Sequence, residues 1–287
     1  MLTTFDHVTI AVNEVDAASG AYEQLLGSPP SWRGEHPDLG TAGALFALAN
    51  AVVELVGPGA DATAATGLRE WLDARGEGLQ ALAFGTDDAA RCAATLRERG
   101  IRATPPQPGE ALGADGVRRR YQTVDLSPRA ARGLSLLVVE REGPALSASR
   151  EPAPASADAL DHVVIRTSDA EAALALYGRG LGLRLALDRE VRGARMLFFR
   201  VGGVTIEVIV DPGAGLSDAF SGVAYRVRDL DAAHARAVAA GLSASEPRDG
   251  MKPATRVFTI RSGTCGVPTL VLRDPSRDTA RQGAEER

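Results

Sequence analysis

Cysteine is nearly absent from this chain: of 287 residues only Cys92 and Cys265 carry a thiol. That excludes a disulfide framework, and the wide spacing excludes a zinc knuckle or a CxxC redox pair. Histidine is scarce as well, with four in total, so each one is a marked position. Aromatic residues make up only 5% of the chain. No stretch approaches the roughly 20 uninterrupted apolar residues that span a bilayer, and the amino terminus runs directly into a strand-like segment with no basic leader. A cytoplasmic protein without a membrane partner is the expectation. A basic surplus is missing too. Asp and Glu number 37 against 32 Lys and Arg, a formal charge of −5, so no broad positive field is present to neutralise nucleic-acid phosphates.

What the chain does contain is a duplication. Asp6-His-Val-Thr-Ile-Ala-Val12 returns as Asp161-His-Val-Val-Ile-Arg-Thr167, each an alternating β-rich run entering an Ala-rich segment. The helices that follow stop at Gly27 and Gly182, where the missing Cβ permits a left-handed exit. Ala51-Val-Val-Glu-Leu-Val56 and Val204-Thr-Ile-Glu-Val-Ile209 then match, each apolar run holding one glutamate. A second kind of unit follows in each half. Leu82 to Asp88 leads to a helix ending at Gly100, and Val223 to Asp229 leads to a helix ending at Gly241. Two more strand-like runs close each half: Arg120 to Val124 with Leu134 to Val139, and Arg256 to Ile260 with Pro268 to Leu272.

The fold class read from this order is α+β. Its expected domains are residues 1–142 and 159–274, joined by a Pro/Ala/Ser-rich extended tether at 143–158 and followed by a polar tail at 275–287.

Leu160-Asp-His-Val-Val-Ile165, the helix carrying Tyr177, Gly180-Leu-Gly-Leu183, and the segment around Glu207 resemble the vicinal oxygen chelate superfamily. Its members include glyoxalase I, methylmalonyl-CoA epimerase, extradiol dioxygenases and antibiotic-resistance proteins. The resemblance implies tandem βαβββ modules forming two glyoxalase-like, U-shaped mixed sheets. It also implies a divalent metal (Zn, Ni, Mn or Fe) held by histidine and glutamate on the first and last strands of a module. His7 with Glu54 and His162 with Glu207 match that pattern, with Glu54 and Glu207 also the implied catalytic proton carriers. The second modules depart from it. Their histidine position falls on Ala81 and Gly222, and their glutamate position on Leu137 and Leu270. Gln80 lies one residue out of place, on the opposite strand face by simple alternation.

Two arrangements follow. Modules pairing in chain order leave two ligands in each cleft, whereas the first module facing the third would unite His7, Glu54, His162 and Glu207 in one set. The leading expectation is a metal-assisted lyase or isomerase, similar to a lactoylglutathione lyase, acting on a small oxygenated substrate, with a homodimer compatible with the family. The rivals are a non-catalytic small-molecule binding protein and an extradiol ring-cleaving dioxygenase. If metal is absent, the histidine and glutamate of one module become a proton-transfer pair.

Other positions carry weaker signals. His36 lies in a polar segment that either borders a cleft or is an exposed loop, and His234 is placed on a solvated helix. Arg118-Arg119-Arg120 reads as a solvated strand face or an anion contact. Tyr121, Tyr225, Phe84 and Phe198 are pocket or core residues, and both thiols are expected to be inert.

Overall fold

The structure is a computed structural model that describes residues 1–60, 65–147 and 152–276. Residues 148–151 of the expected tether and 277–287 of the expected tail lie outside the described residues. The first half contains β1 (Thr4–Ala11), α1 (Val15–Leu26), β2 (Trp32–His36), β3 (Thr41–Ala47), β4 (Val52–Pro58), α2 (Thr66–Arg75), β5 (Gly78–Gly85), α3 (Ala89–Glu98), β6 (Gln107–Gly113), β7 (Arg118–Asp125) and β8 (Ser135–Arg141). The second half follows with β9 (Ala159–Thr167), α4 (Ala170–Ala173), a π-helical turn at Leu174–Gly180, β10 (Arg184–Val191), β11 (Ala194–Val201) and β12 (Val204–Val210). It ends with β13 (Ala219–Arg226), α5 (Leu230–Ala239), β14 (Arg248–Asp249), β15 (Arg256–Ile260) and β16 (Thr269–Arg273).

Both halves start the same way because their sequences do. β1 runs parallel to β4 with His7 opposite Val52 and Thr9 opposite Glu54. β9 runs parallel to β12 with His162 opposite Thr205 and Val164 opposite Glu207. The register of the two histidine–glutamate pairs is therefore identical. The helix after each first strand turns out through a left-handed glycine, Gly27 at φ 72° and Gly182 at φ 74°, a conformation that costs residues with a Cβ far more.

The modules pair in chain order. In the first half the strand order β1-β4-β3-β2-β6-β7-β8-β5 closes into a barrel, while in the second β10-β11-β12-β9-β13-β16-β15-β14 remains an open sheet. The arrangement in which the first module faces the third is not the one adopted, because β1 and β9 each hydrogen-bond to the fifth strand of their own half, β5 and β13. Adjacent elements satisfy their backbone hydrogen bonds with the shortest connections.

Closure depends on one ladder, β2 with β6, where Gly34 pairs with Gly113. A Cβ on Gly34 would lie 2.2 Å from the Leu112 carbonyl and 2.4 Å from the Trp32 ring, so only glycine admits this approach. The corresponding strands of the second half are an exposed β10 and a two-residue β14, which do not pair.

A shared apolar core joins the halves. Phe5, Tyr22, Phe84, Tyr177, Phe199, Tyr225 and Phe258 belong to one buried cluster, and the Tyr22 hydroxyl donates to the Thr264 carbonyl of the other half. Phe84 and Tyr225 are thus core residues with no place in a pocket. His234, read from sequence as solvated, packs edge-on against Phe258 at 5.1 Å. The tether is also less extended than its composition suggests. Ala157 N–H donates to Leu26 O and Ser156 Oγ to Gly27 O, so residues 156 and 157 cap the end of α1 with buried contacts.

Candidate functional site

Inward-facing side chains of the closed barrel line a cavity of about 540 Å³, within the size range of small-molecule sites. One wall is polar, with His7 and Thr9 from β1, Glu54 from β4, His36 from β2, Tyr121 from β7 and Arg141 from β8. Leu39, Val56, Leu68 and Pro108 form an apolar counterpart. α2, which has no equivalent between β12 and β13, lays Leu68 and Leu72 over Ala11 and Val56 and covers one barrel end.

The polar wall is a continuous network. Arg141 grips Asp6 with Nε 2.9 Å from Oδ2 and a second guanidinium nitrogen 2.5 Å from Oδ1. Asp6 Oδ1 accepts from His7 Nδ1 at 2.5 Å. On its other side the same imidazole places Nε2 3.3 Å from Glu54 Oε2, and Thr9 Oγ1 donates to that oxygen at 2.9 Å. Glu54 Oε1 lies 3.7 Å from His36 Nε2, and His36 Nδ1 is 2.9 Å from the Tyr121 hydroxyl. Seven side chains from five strands, the Glu54 carboxylate at their centre, make up this network.

Burial alone would make each of these groups neutral, and the neighbours override it. His7 is pulled down by burial, but the Glu54 charge and the Asp6 hydrogen bond raise it to about 9. Burial pushes the Glu54 carboxyl up, and the charge and hydrogen bond of His7 bring it down to about 2. Asp6 is likewise held well below the usual carboxylate range, despite burial, by His7 and Arg141. At neutral pH the pair is imidazolium and carboxylate. His36 is the opposite case: burial lowers it, Glu54 opposes, and the cations of His7 and Arg141 assist. Its ring is neutral. Burial lifts the Tyr121 phenol to about 12, so it stays protonated beside that ring.

The structure brings His7 and Glu54 together and keeps His162 and Glu207 apart from them in the open sheet. There His162 Nδ1 is 2.9 Å from Asp161 Oδ1. Burial lowers the imidazole, and Asp161 and Glu207 raise it on balance. Burial raises the Glu207 carboxyl, with His162 opposing. The second pair preserves the Asp-His geometry of the first without the surrounding barrel.

Sequence reasoning misread Gln80, did not single out Thr9, Thr41 or Arg141, and left His36 between a cleft border and an exposed loop. His36 is the last residue of β2, not a loop residue, and lines the site. Gln80 lines it as well, contrary to simple alternation. Thr9 pairs with Ala81 and Ile10 with Leu79, so Gln80 is the extra residue of a β-bulge, which re-aims its side chain. Arg118 and Arg120 both engage Glu110, one strand face as alternation requires. Of the aromatics weighed, Tyr121 borders the cavity, while Phe198 lies under the Arg189 guanidinium at 6.0 Å. Cys92 is buried and Cys265 half-buried, and burial raises both thiols, Cys265 to about 12; neither is a nucleophile at neutral pH.

A family model described as a glyoxalase-like domain matches residues 5–181, and a second, for the glyoxalase/bleomycin resistance protein/dioxygenase superfamily, matches residues 159–277. The chain belongs to the glyoxalase-like family of the vicinal oxygen chelate superfamily. Among solved structures, this glyoxalase-like chain resembles a variant of 4-hydroxymandelate synthase from Streptomyces coelicolor. That likeness has 16% identity, a TM-score of 0.68, and coverage of 95% of this chain and 92% of that one. A hypothetical protein from Staphylococcus aureus matches at 10% identity and TM-score 0.66, covering 94% and 99%. A methylmalonyl-CoA epimerase variant from S. coelicolor matches half of the chain, with 24% identity, a TM-score of 0.41, and coverage of 50% and 100%. At these identities the first two likenesses show the fold. No curated protein matches the chain. No helix among the described residues is long and apolar enough to cross a membrane.

Members of the superfamily typically hold a divalent metal, and the donor set here falls short of that site. Of the four positions implied by the resemblance, His7 and Glu54 are already engaged with each other, and Ala81 and Leu137 line the cavity with hydrocarbon. Among the described residues no group of three or more His, Cys, Asp or Glu side chains is arranged to hold a metal. The residues do not fit the four-ligand metal site, and no chemical step is derived through one.

Proposed function

We propose that the first barrel is the working site of an isomerase- or lyase-type enzyme acting on a small oxygenated substrate, with His7 and Glu54 as its proton-transfer pair. The 3.3 Å contact between His7 Nε2 and Glu54 Oε2 on the cavity wall, with Asp6 fixing the far side of the ring, carries this reading. A carbonyl oxygen entering the site takes the Nε2 proton of the imidazolium while Glu54 accepts a proton from the adjacent carbon, giving a neutral enediol. Return of the carbon proton from Glu54 to the former carbonyl carbon, with the hydroxyl on the other carbon giving its proton to neutral His7 and becoming the new carbonyl, completes a 1,2-shift with atoms balanced. Loss of the His7 charge during the first transfer removes the main influence that depresses Glu54, so the base strengthens as the acid is spent.

The metal reading expected from the family, with Zn, Ni, Mn or Fe on His7 and Glu54, has only these two ligands in its support. A binding protein is the second reading, favoured by hydrocarbon at Ala81 and Leu137. Incubation of the native chain with a panel of small α-hydroxycarbonyl compounds in D2O, followed by proton NMR, separates the readings. Loss of the α-C–H signal that disappears in Glu54→Gln supports the enzyme. Binding without exchange across the panel supports sequestration, and exchange abolished by chelator supports metal assistance.

A further inference from the structure

Two buried polar side-chain atoms on residues that line the barrel cavity have no hydrogen-bond partner among the described residues: His36 Nε2 and Thr41 Oγ1. Thr41 is 6% exposed and the His36 side chain 12%. Unpartnered groups this buried are uncommon and costly, and each calls for a reason. These two are also placed together. His36 and Thr41 are directly opposite each other on the β2–β3 ladder, a separation of about 4.5–5.5 Å at the backbone that lets both side chains reach one small group. The His36 ring is not free to turn away, since Tyr121 holds Nδ1 at 2.9 Å and Trp32 packs edge-on at 6.2 Å.

The surrounding charges select the chemistry of that group. Asp38, Glu54 and Glu110 line the same cavity, and Glu54 Oε1 lies 3.7 Å from His36 Nε2. The cavity's cations, His7 and Arg141, are already held by Glu54 and Asp6. An anionic head group would meet carboxylates with no free cation among the described lining residues to offset them. A hydroxyl group donates one proton and accepts others, as do threonine and a neutral imidazole. Beyond it, Leu39 and Leu68 border the same space.

We infer that Thr41 and His36 form a recognition subsite for a neutral hydroxyl group beside the reacting carbonyl of a ligand whose remainder is apolar. This names the substrate class of the reading above and rests on it. Thr41 is a specificity-determining residue, and Tyr121 positions His36 for the same contact.

The test reads binding, not turnover, on the full chain by calorimetry. The probes are 1,2-hexanediol and 2-hydroxyhexanoate, which share chain length and differ in the charge of the head. The native protein binds the diol more tightly than the hydroxy acid. Thr41→Val weakens diol binding by about 3- to 10-fold, the value of one ordinary hydrogen bond, and Thr41→Ser retains it. Because the hydroxyl has no partner to lose, Thr41→Val melts no lower than the native chain. Tighter binding of the hydroxy acid, native-like diol binding by Thr41→Val, no diol binding at all, or a Thr41→Val melting point several degrees lower would overturn the assignment. Glu54→Gln separates the two proposals: a variant that binds the diol yet exchanges no proton leaves the subsite standing and bears on the reaction alone.

Discussion

Asp6 Oδ1 lies 2.5 Å from His7 Nδ1, and the two residues are consecutive on β1. Successive side chains of a regular strand point to opposite faces, yet here both reach one network. The β1–β5 ladder shifts register between Phe5 and His7, an irregularity that leaves Asp6 unpaired and lets its carboxylate approach the barrel side. Arg141 from β8 then fastens it. Asp6 thereby fixes the orientation of the His7 ring and, with Glu54, holds its charge.

Replacing Asp6 with Asn removes a negative charge and leaves His7 Nδ1 a weaker, neutral acceptor, so its titration midpoint falls from about 9 toward the ordinary 6.5. Imidazole proton NMR across pH 5 to 10 measures the shift directly. An unchanged midpoint would show that Glu54 alone holds the proton.

The same two groups fix a pH window for stability. The raised pKa of His7 makes its contribution complete below its unfolded value near 6.5 and lost as pH climbs through about 9. The depressed Glu54 contributes fully above 4.5 and loses its share as pH falls through about 2. Thermal melts should therefore decline on the alkaline side near 9, and Glu54→Gln should flatten that decline. Glu54→Ala, which leaves Asp6 as the remaining carboxylate on the buried His7 ring, should cost about 3 kcal/mol at neutral pH by urea unfolding, the low end for a broken buried pair.

Much of this was visible in the sequence for a physical reason. The Asp-His opening, the glutamate inside an apolar strand and the helix-stopping glycines are local patterns, and they locate β1, β4, β9 and β12 with their charged residues. Gln80 and Thr41 were not legible as site residues, and His36 stayed undecided between a cleft border and an exposed loop, because each depends on something non-local. Gln80 needs the bulge opposite Thr9 and Ile10. His36 and Thr41 need β2 to close onto β6 through Gly34 and Gly113, a contact far apart in the chain. The second half retains His162 and Glu207 in the same register but lacks that closure, so equal motifs have unequal surroundings.

If hydrocarbon at Ala81 and Leu137 is what departs from the family's metal site, restoring the ligands should restore the metal. The double substitution Ala81→His and Leu137→Glu places imidazole and carboxylate on cavity-lining positions of β5 and β8, in the same cavity as His7 and Glu54. About one Zn or Ni per chain is expected for this variant by elemental analysis after dialysis, and none for the native protein. Stoichiometric metal in the native chain would instead show that Gln80 or His36 completes a site with His7 and Glu54, and the metal-assisted reading would replace the metal-free one.

The halves are tied by a reciprocal device whose removal should loosen the whole molecule. Arg236 on α5 donates to the carbonyls of Gln24 and Leu25 at the end of α1, at 2.8 and 3.1 Å, and to Ala155 O at 2.8 Å. Arg99, just past α3, returns the contact by donating to Gly180 O at the end of the π-helical turn, 3.2 Å away. Each arginine supplies positive charge where unpaired carbonyls and the helix dipole concentrate negative charge. Arg236 is partly exposed, so solvent discounts the gain, and Arg236→Ala should cost about 1–2 kcal/mol. Because the buried core runs through both halves, that loss should lower one cooperative transition instead of splitting it. Two separated transitions in calorimetry of Arg236→Ala would show that the helix-end contacts, more than the shared core, couple the halves.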